Sequence, residues 1–339
     1  MLLPGQKRFP FPIWGRVDAS IDAAPPPGPV TCAGCGAPCC WNMKLLDFHA
    51  GNWHDLEYVH FIAGFHEFEI DYENPARFRI FYRAPCRHLD QDSLGCTLHG
   101  TPDKPQTCVV FDESDCYYRD AHLGRPLPSA PVVRLDRRRW LAMAPLFKVD
   151  ADGTIVHMPT AQEVLETLEA AAPDPASEPR VRQRSWEALH VEPIARHSFG
   201  DRTSPCEGCH APCCNVVIFD RPTPTTVHNL EFMRYQLGFP GVEAAVSSGG
   251  WRILVRTTCS AFDDVTNLCT LYGQPSRPTL CTHFNPYLCS YRKYFSAGPD
   301  EVLRLEAADV RRLIARLPDE AGRLPNDLSP AAVRKVLSD

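Results

Sequence analysis

Two stretches of the chain repeat one spacing of apolar positions. In DLEYVHFIAGF (55–65) the residues Leu56, Val59 and Ala63 fall three and four positions apart, and in NLEFMRYQLGF (229–239) Leu230, Met233 and Leu237 do the same. That period puts them on one face of an α-helix, and Gly64 and Gly238 stand where glycine would cap its C-terminus. Downstream of each, RFRIFYR (77–83) and WRILVR (251–256) alternate and are rich in aromatic and branched residues, which predicts a strand.

Between these paired segments the pattern changes. FKVDADGTIVHM (147–158) predicts a hairpin turning at Asp-Ala-Asp-Gly, and Thr160 with Glu163 forms a capping-box pattern at the head of the helix AQEVLETLEAAA. Residues 173–204 are rich in proline and charge and are expected to be a linker with one short helix near Trp186. The tail predicts two helices, about 300–316 and 329–338, the second with Pro330 near its start. Leu303, Val310, Leu313 and Ile314 are expected to pack them onto the body.

The paired segments belong to a longer repeat carried by cysteine. The chain has 16 cysteines, and none is left over. The first copy is Cys32, Cys35, Cys39, Cys40, Cys86, Cys96, Cys108 and Cys116; the second is Cys206, Cys209, Cys213, Cys214, Cys259, Cys269, Cys281 and Cys289. The last three gaps are 10, 12 and 8 positions in both copies, and the long gap after the double cysteine is 46 in one and 45 in the other. CTLHGTPDKPQTC (96–108) aligns with CTLYGQPSRPTLC (269–281), and Phe111, Tyr118 and Arg119 with Phe284, Tyr291 and Arg292. Pro105 and Pro278 stand where a short helix could begin. Each copy therefore reads as a cysteine knuckle, a helix, a strand, a cysteine loop and a short helix.

At 339 residues, with 44% hydrophobic and 22% charged residues, the chain is long enough for several cored units of ordinary soluble composition. A net charge of −6 gives no reason to expect nucleic acid or an anionic membrane as partner, and the run Arg137-Arg138-Arg139 reads as a solvated face. No apolar run reaches the roughly 18 residues of a membrane span. MLLPGQKRFPFPIWG lacks the apolar core of a signal peptide, so a cytoplasmic location is expected. In a reducing compartment, clustered cysteines are held by metal more often than joined to one another.

A C-x₂-C turn brings two thiolates to one metal, as zinc and iron–sulfur sites both require. The adjacent pairs Cys39-Cys40 and Cys213-Cys214 are less usual: neighbouring side chains are expected to diverge, so one member would complete the knuckle's site and the other face a second site or stay free. Eight thiolates per copy suffice for two Cys₄ zinc sites, or for one four-iron cluster with four thiols over. The wide late spacings favour a bulky cluster, so iron–sulfur, of the 4Fe-4S kind, is preferred to zinc. His88, His99, His210 and His283 lie beside cysteines, yet the other copy has Ala261, Tyr272, Gly36 and Val110 there, which argues against imidazole ligands. Asp90/Asp263 and Arg119/Arg292 recur and could orient or neutralise the thiols, although loop bonds and salt bridges are the commoner use. Glu57/Glu231 could be catalytic only if they faced a pocket. No phosphate-binding loop, dinucleotide fingerprint, H-E-x-x-H or G-x-S-x-G occurs.

The pattern C-x₂-C-x₃-C-C, followed by C…C-x-L-[HY]-G…[KR]-P…C…F…C-x-Y-R, resembles the YkgJ-type cysteine-cluster family, described as a zinc- or iron-chelating domain. The resemblance covers about 30–120 and 204–293. It implies metal binding through the 16 cysteines, and flagellin lysine methylases carry a related cluster. Two full copies depart from the common single-domain form.

The expected architecture is α+β: two related, loop-rich, metal-stabilised lobes at 1–130 and 204–295, a hairpin-helix insert at 131–203 and C-terminal helices at 296–339. The preferred function is an iron–sulfur protein with a redox or accessory role and an unidentified protein partner. Its alternatives are a zinc-chelating structural protein, a protein-modifying enzyme and a secreted disulfide scaffold. A pocket beside one cluster, lined by residues present in one copy only, would favour the enzyme.

Overall fold

The computed structural model describes residues 38–73, 75–90, 92–93, 95–110, 132–171, 211–263, 265–266, 268–284, 289, 291, 302–318 and 322–338. Cys32, Cys35, Cys116, Cys206 and Cys209 lie outside them, as do Phe111, Tyr118, Arg119, Arg292, His210 and the helix expected near Trp186.

The α+β class holds, with antiparallel sheets and helices in both copies. In the first copy the pair Cys39-Cys40 sits in a single helical turn, α1 (Pro38–Trp41), that runs into β1 (Asn42–His49). Then come α2 (Trp53–Ile62), β2 (Phe68–Glu73), β3 (Arg77–Arg83), α3 (Gln106–Val109), β4 (Val132–Leu135) and α4 (Arg137–Met143). The hairpin β5 (Lys148–Val149) and β6 (Ile155–His157) and the helix α5 (Ala161–Ala170) follow. The second copy repeats the order with α6 (Pro212–Asn215), β7 (Val216–Arg221), α7 (Val227–Leu237), β8 (Val242–Ser247) and β9 (Gly250–Arg256). It continues through β10 (Phe262–Asp263), β11 (Leu268–Cys269), α8 (Thr279–Thr282), β12 (Val302–Leu305) and α9 (Ala307–Arg316), and α10 (Pro330–Ser338) ends the chain.

The two large sheets have one topology, β1-β3-β2-β4 and β7-β9-β8-β12. The repeat therefore runs past residues 130 and 295. The insert supplies the fourth strand of the first sheet, and the tail that of the second. The tail helix expected from residue 300 starts instead at Ala307, because Val302–Leu305 pairs with β8. A charge pattern repeats with the strands: the buried Glu69 on β2 lies between Arg83 and Arg134, and the half-buried Glu243 on β8 between Arg256 and Arg304. Two guanidiniums satisfy each carboxylate, so an acidic residue can occupy a covered sheet face.

Local signals explain several elements. Asp150 accepts from the backbone N–H of Asp152 and Thr154, and Gly153 at φ +81° completes the expected hairpin turn. Thr160 and Glu163 form the expected capping box. Asn52 caps α2 by accepting from His54 and Asp55 while Asp55 returns a bond to the Asn52 N–H. Replacing Asn52 by Ala should lower stability by about 1 kcal/mol, read as a lower denaturant midpoint at unchanged slope; an unmoved midpoint would show the cap to be dispensable.

The apolar faces read from sequence are buried: Leu56 and Val59 of α2, and Leu230, Met233 and Leu237 of α7. They do not form separate cores. Residues of both copies belong to one contiguous cluster, joined where Phe68 meets Phe219 edge-on at 5.8 Å. The Tyr82 hydroxyl donates to the Pro240 carbonyl at 2.9 Å, a further tie between the halves. Among the described residues no helix is long and apolar enough to cross a membrane.

Candidate metal centre

Corresponding cysteines are placed by the same backbone bonds in the two halves. The Cys86 N–H donates to the Cys40 carbonyl at 2.7 Å, and the Cys259 N–H to that of Cys214 at 2.8 Å. Each ties the fifth cysteine of its copy to the double cysteine. The loops beyond are closed by Thr97 N–H to the His88 carbonyl and by Thr270 N–H to that of Ala261, both at 2.8 Å, so Cys96 and Cys269 turn back towards the start of the loop. Pro105 and Pro278 then cap α3 and α8, which carry Cys108 and Cys281. All 11 described cysteines are half-buried and free of disulfides.

The thiols of each half are electrostatic neighbours. Burial pushes Cys108 up to about 12, with Cys39, Cys86 and Cys96 adding to it and Lys104 opposing. Burial likewise pushes Cys281 up to about 12, with Cys213, Cys259 and Cys269 adding and Arg277 opposing. The neighbouring thiol is also the first cause of the shift at the double cysteines: Cys40 lowers Cys39, while Cys39 raises Cys40 and Cys214 raises Cys213. Cys289 packs with Cys213 against a small apolar cluster that includes the buried Tyr291. Among the described residues, no three His, Cys, Asp or Glu side chains converge closely enough to hold one metal ion. The donors gathered in each half are all thiols, which suits a thiophilic metal in chemistry. The described residues alone do not close a coordination sphere.

The other recurring residues separate by role. Asp90 and Asp263 accept the backbone N–H groups two and three residues on, in exposed turns, and so shape the loops rather than face the thiols. Of the histidines by cysteines, His99 lies 3.5 Å from the Lys104 amine, in an exposed position. Glu57 and Glu231 are both 6% exposed, which excludes an open catalytic carboxylate. Each reaches into the opposite half: the Glu231 carboxylate accepts from Gln106 N–H, the first residue of α3, at 2.8 Å, and that of Glu57 from Thr279 N–H, the first of α8, at 2.6 Å. Burial opposes the charge on Glu57, but hydrogen bonds from His60 and Thr279 still hold its pKa below the usual carboxylate value.

Sequence reasoning missed Arg137. It was read as part of a solvated run, and Arg138 is indeed exposed. Arg137 instead donates to the Ser276 carbonyl at 2.7 Å and lies by Cys259, Cys269 and Cys281, a second cation beside Arg277. Its run carried no signal of this, because the contact is made across the halves. Tyr235 was also missed; its hydroxyl donates to the Cys39 carbonyl at 2.9 Å.

A cavity of about 420 Å³ lies beside the second set, lined by Tyr272, Gly273, Gln274, Pro275, Arg277 and Thr282. The Arg277 guanidinium sits 4.8 Å from the Tyr272 ring centroid. The first copy shares the glycine and the proline but has His99, Thr101, Lys104 and Val109 for the rest. In comparisons with protein-family models, curated proteins and solved structures, the chain matches none.

Proposed function

We propose that this chain is a metal protein in which two eight-cysteine sets hold iron–sulfur clusters, in a redox or accessory role, with zinc as the alternative metal. The observation that carries the reading is the duplicated placement of the thiols: the same backbone bonds bring Cys86 to Cys40 and Cys259 to Cys214, and the same capped turns carry Cys108 and Cys281. Burial and the neighbouring thiols push Cys86, Cys108, Cys259 and Cys281 up, so these four would need a cation to become thiolates, whereas the hydrogen bond from Cys40 brings Cys39 down to about 7. A bound cluster would supply that positive charge and one-electron chemistry. Lys104 on one side, and Arg277 with Arg137 on the other, would offset the remaining negative charge. The knuckle cysteines Cys32, Cys35, Cys206 and Cys209, with Cys116 and Cys289, complete the proposed ligand sets. The two sets stabilise the loop-rich parts of the fold in this reading, and the reducing cytoplasm is the compartment that suits it.

Anaerobic purification with metal, sulfide and absorption analysis tests the proposal. A brown protein with iron and acid-labile sulfide is the expected result. A colourless protein with several zinc ions per chain would replace iron by zinc, and a metal-free protein with reactive thiols would overturn both.

The cavity at Tyr272 favours a second reading, an enzyme in which only the second half works on a small molecule. It meets the condition set from sequence only in part: Tyr272, Gln274 and Thr282 correspond to His99, Thr101 and Val109, whereas Arg277 matches the basic Lys104.

A further inference from the structure

Beside the bonds within each half, several contacts that seat the cysteine loops come from the opposite half of the chain. Gln106 opens the helix that carries Cys108, and its N–H is accepted by Glu231 of α7, while Arg234 on the same helix donates to the Lys104 carbonyl at 2.9 Å. Thr279 opens the helix that carries Cys281, and its N–H is accepted by Glu57 of α2. The exchange continues at the helix ends. The Arg87 N–H, next to Cys86, donates to the Gly238 carbonyl at 2.8 Å, and the Ser260 N–H, next to Cys259, donates to that of Gly64 at 2.7 Å. Arg311 of the second copy pairs with Asp103 of the first, and Arg137 of the first holds Ser276 of the second at the matching loop position.

We infer that Glu57 and Glu231 are positioning residues that work crosswise: Glu57 governs the thiol set of the second half, and Glu231 that of the first. An N–H at the first position of a one-turn helix has no partner within that helix, so an acceptor must come from elsewhere. Here it is a charged acceptor, buried and fixed on a long helix of the other copy, and hydrogen bonds to charged groups are the stronger ones. Neither thiol set is then complete in its own half. The duplication does not make two independent sites; it makes two sites that each need both copies.

The inference concerns the seating of the thiols and rests on the metal reading only for its purpose, so its test reads the thiols directly. In the full chain, the alkylation rate of each cysteine by iodoacetamide is followed by peptide mass spectrometry, with metal content measured on the same samples. Glu57→Ala should speed alkylation of Cys281 and Cys259 about tenfold and leave Cys108 and Cys86 unchanged, and Glu231→Ala should do the reverse. Glu57→Gln keeps a carbonyl acceptor and should lie close to wild type. Thr279→Pro removes the donor instead, in a position where proline is tolerated, and should reproduce the Glu57→Ala pattern if the carboxylate variant folds poorly. Exposure of cysteines in the same half as the mutated glutamate, or equal exposure in both halves, would overturn the crossed assignment. A crossed pattern in metal-free protein would support it while removing the metal reading; metal with an uncrossed pattern would do the opposite.

Discussion

Replacing Phe219 by alanine is expected to destabilise both halves at once, by about 3–5 kcal/mol. Phe219 is on β7 of the second copy and only 1% exposed. Its ring meets that of Phe68 on β2 of the first copy at 5.8 Å and 90°, and Phe68 continues edge-on to Phe65 and Tyr82. Truncation would empty the joint between the sheets, and a close-packed interior relaxes only in part around such a void. Because one cluster of buried residues spans both copies, the loss should not stay in the second half. Hydrogen–deuterium exchange in mild denaturant checks this through peptides covering β3 and β9. Both should lose protection together in the variant; faster exchange in β9 with β3 unmoved would mean two separately cored units.

The single core was the part of the fold hardest to read in the chain. The helices α2 and α7 announced themselves by period, and the hairpin at Asp150–Gly153 and the box at Thr160–Glu163 by residue type, because each of those signals is local. The strand β1 was hidden by a register shift between Lys44 and Leu46, which breaks the alternation of NMKLLDFH. β8, VEAAVS, offers two alanines where branched residues would mark a strand. β2 alternates cleanly, but its charged positions Glu69 and Asp71 are buried, at 8% and 4% exposure. Arginines of neighbouring strands pair with both and make that tolerable. β4 and β12 are four residues each, and their pairing with β2 and β8 is settled by tertiary contact.

At the site the cysteine register told which residues recur, not how they are seated. Repetition showed that the histidines do not recur, yet it could not show that the carboxylates of Glu57 and Glu231 each accept from the first N–H of a helix of the other copy. A sequence repeat has the same appearance whether its partners lie within a copy or between copies. Arg137 illustrates the limit: its partner Ser276 is 139 positions away.

The glycines at the ends of the two helices yield the second large effect. Gly238 is the C-cap of α7 as expected, though at φ −69°, whereas the cap of α2 is Ala63 rather than Gly64. Their reason is closeness. A Cβ at Gly238 would lie 3.4 Å from Cys86 Sγ and 3.1 Å from the Tyr235 carbonyl; one at Gly64 would lie 3.6 Å from Cys259 Sγ and 3.1 Å from the Phe61 carbonyl. Alanine is thus tight against backbone that can shift by tenths of an ångström, whereas the branches of valine must enter space held by the sulfur. Gly238→Val is expected to displace Cys86 and cost about 1–3 kcal/mol from overpacking, with loss of the first half's share of bound metal; Gly64→Val should do the same through Cys259 to the second. The decisive comparison is metal content per chain in the two single variants and in the double. Each single variant should retain about half, and the double should retain almost none, if the sulfurs hold metal as proposed. Full metal content in Gly238→Val, with Cys86 no more reactive to alkylation, would show that the sulfur's place against α7 is incidental, and would leave the helix end without its reason for glycine.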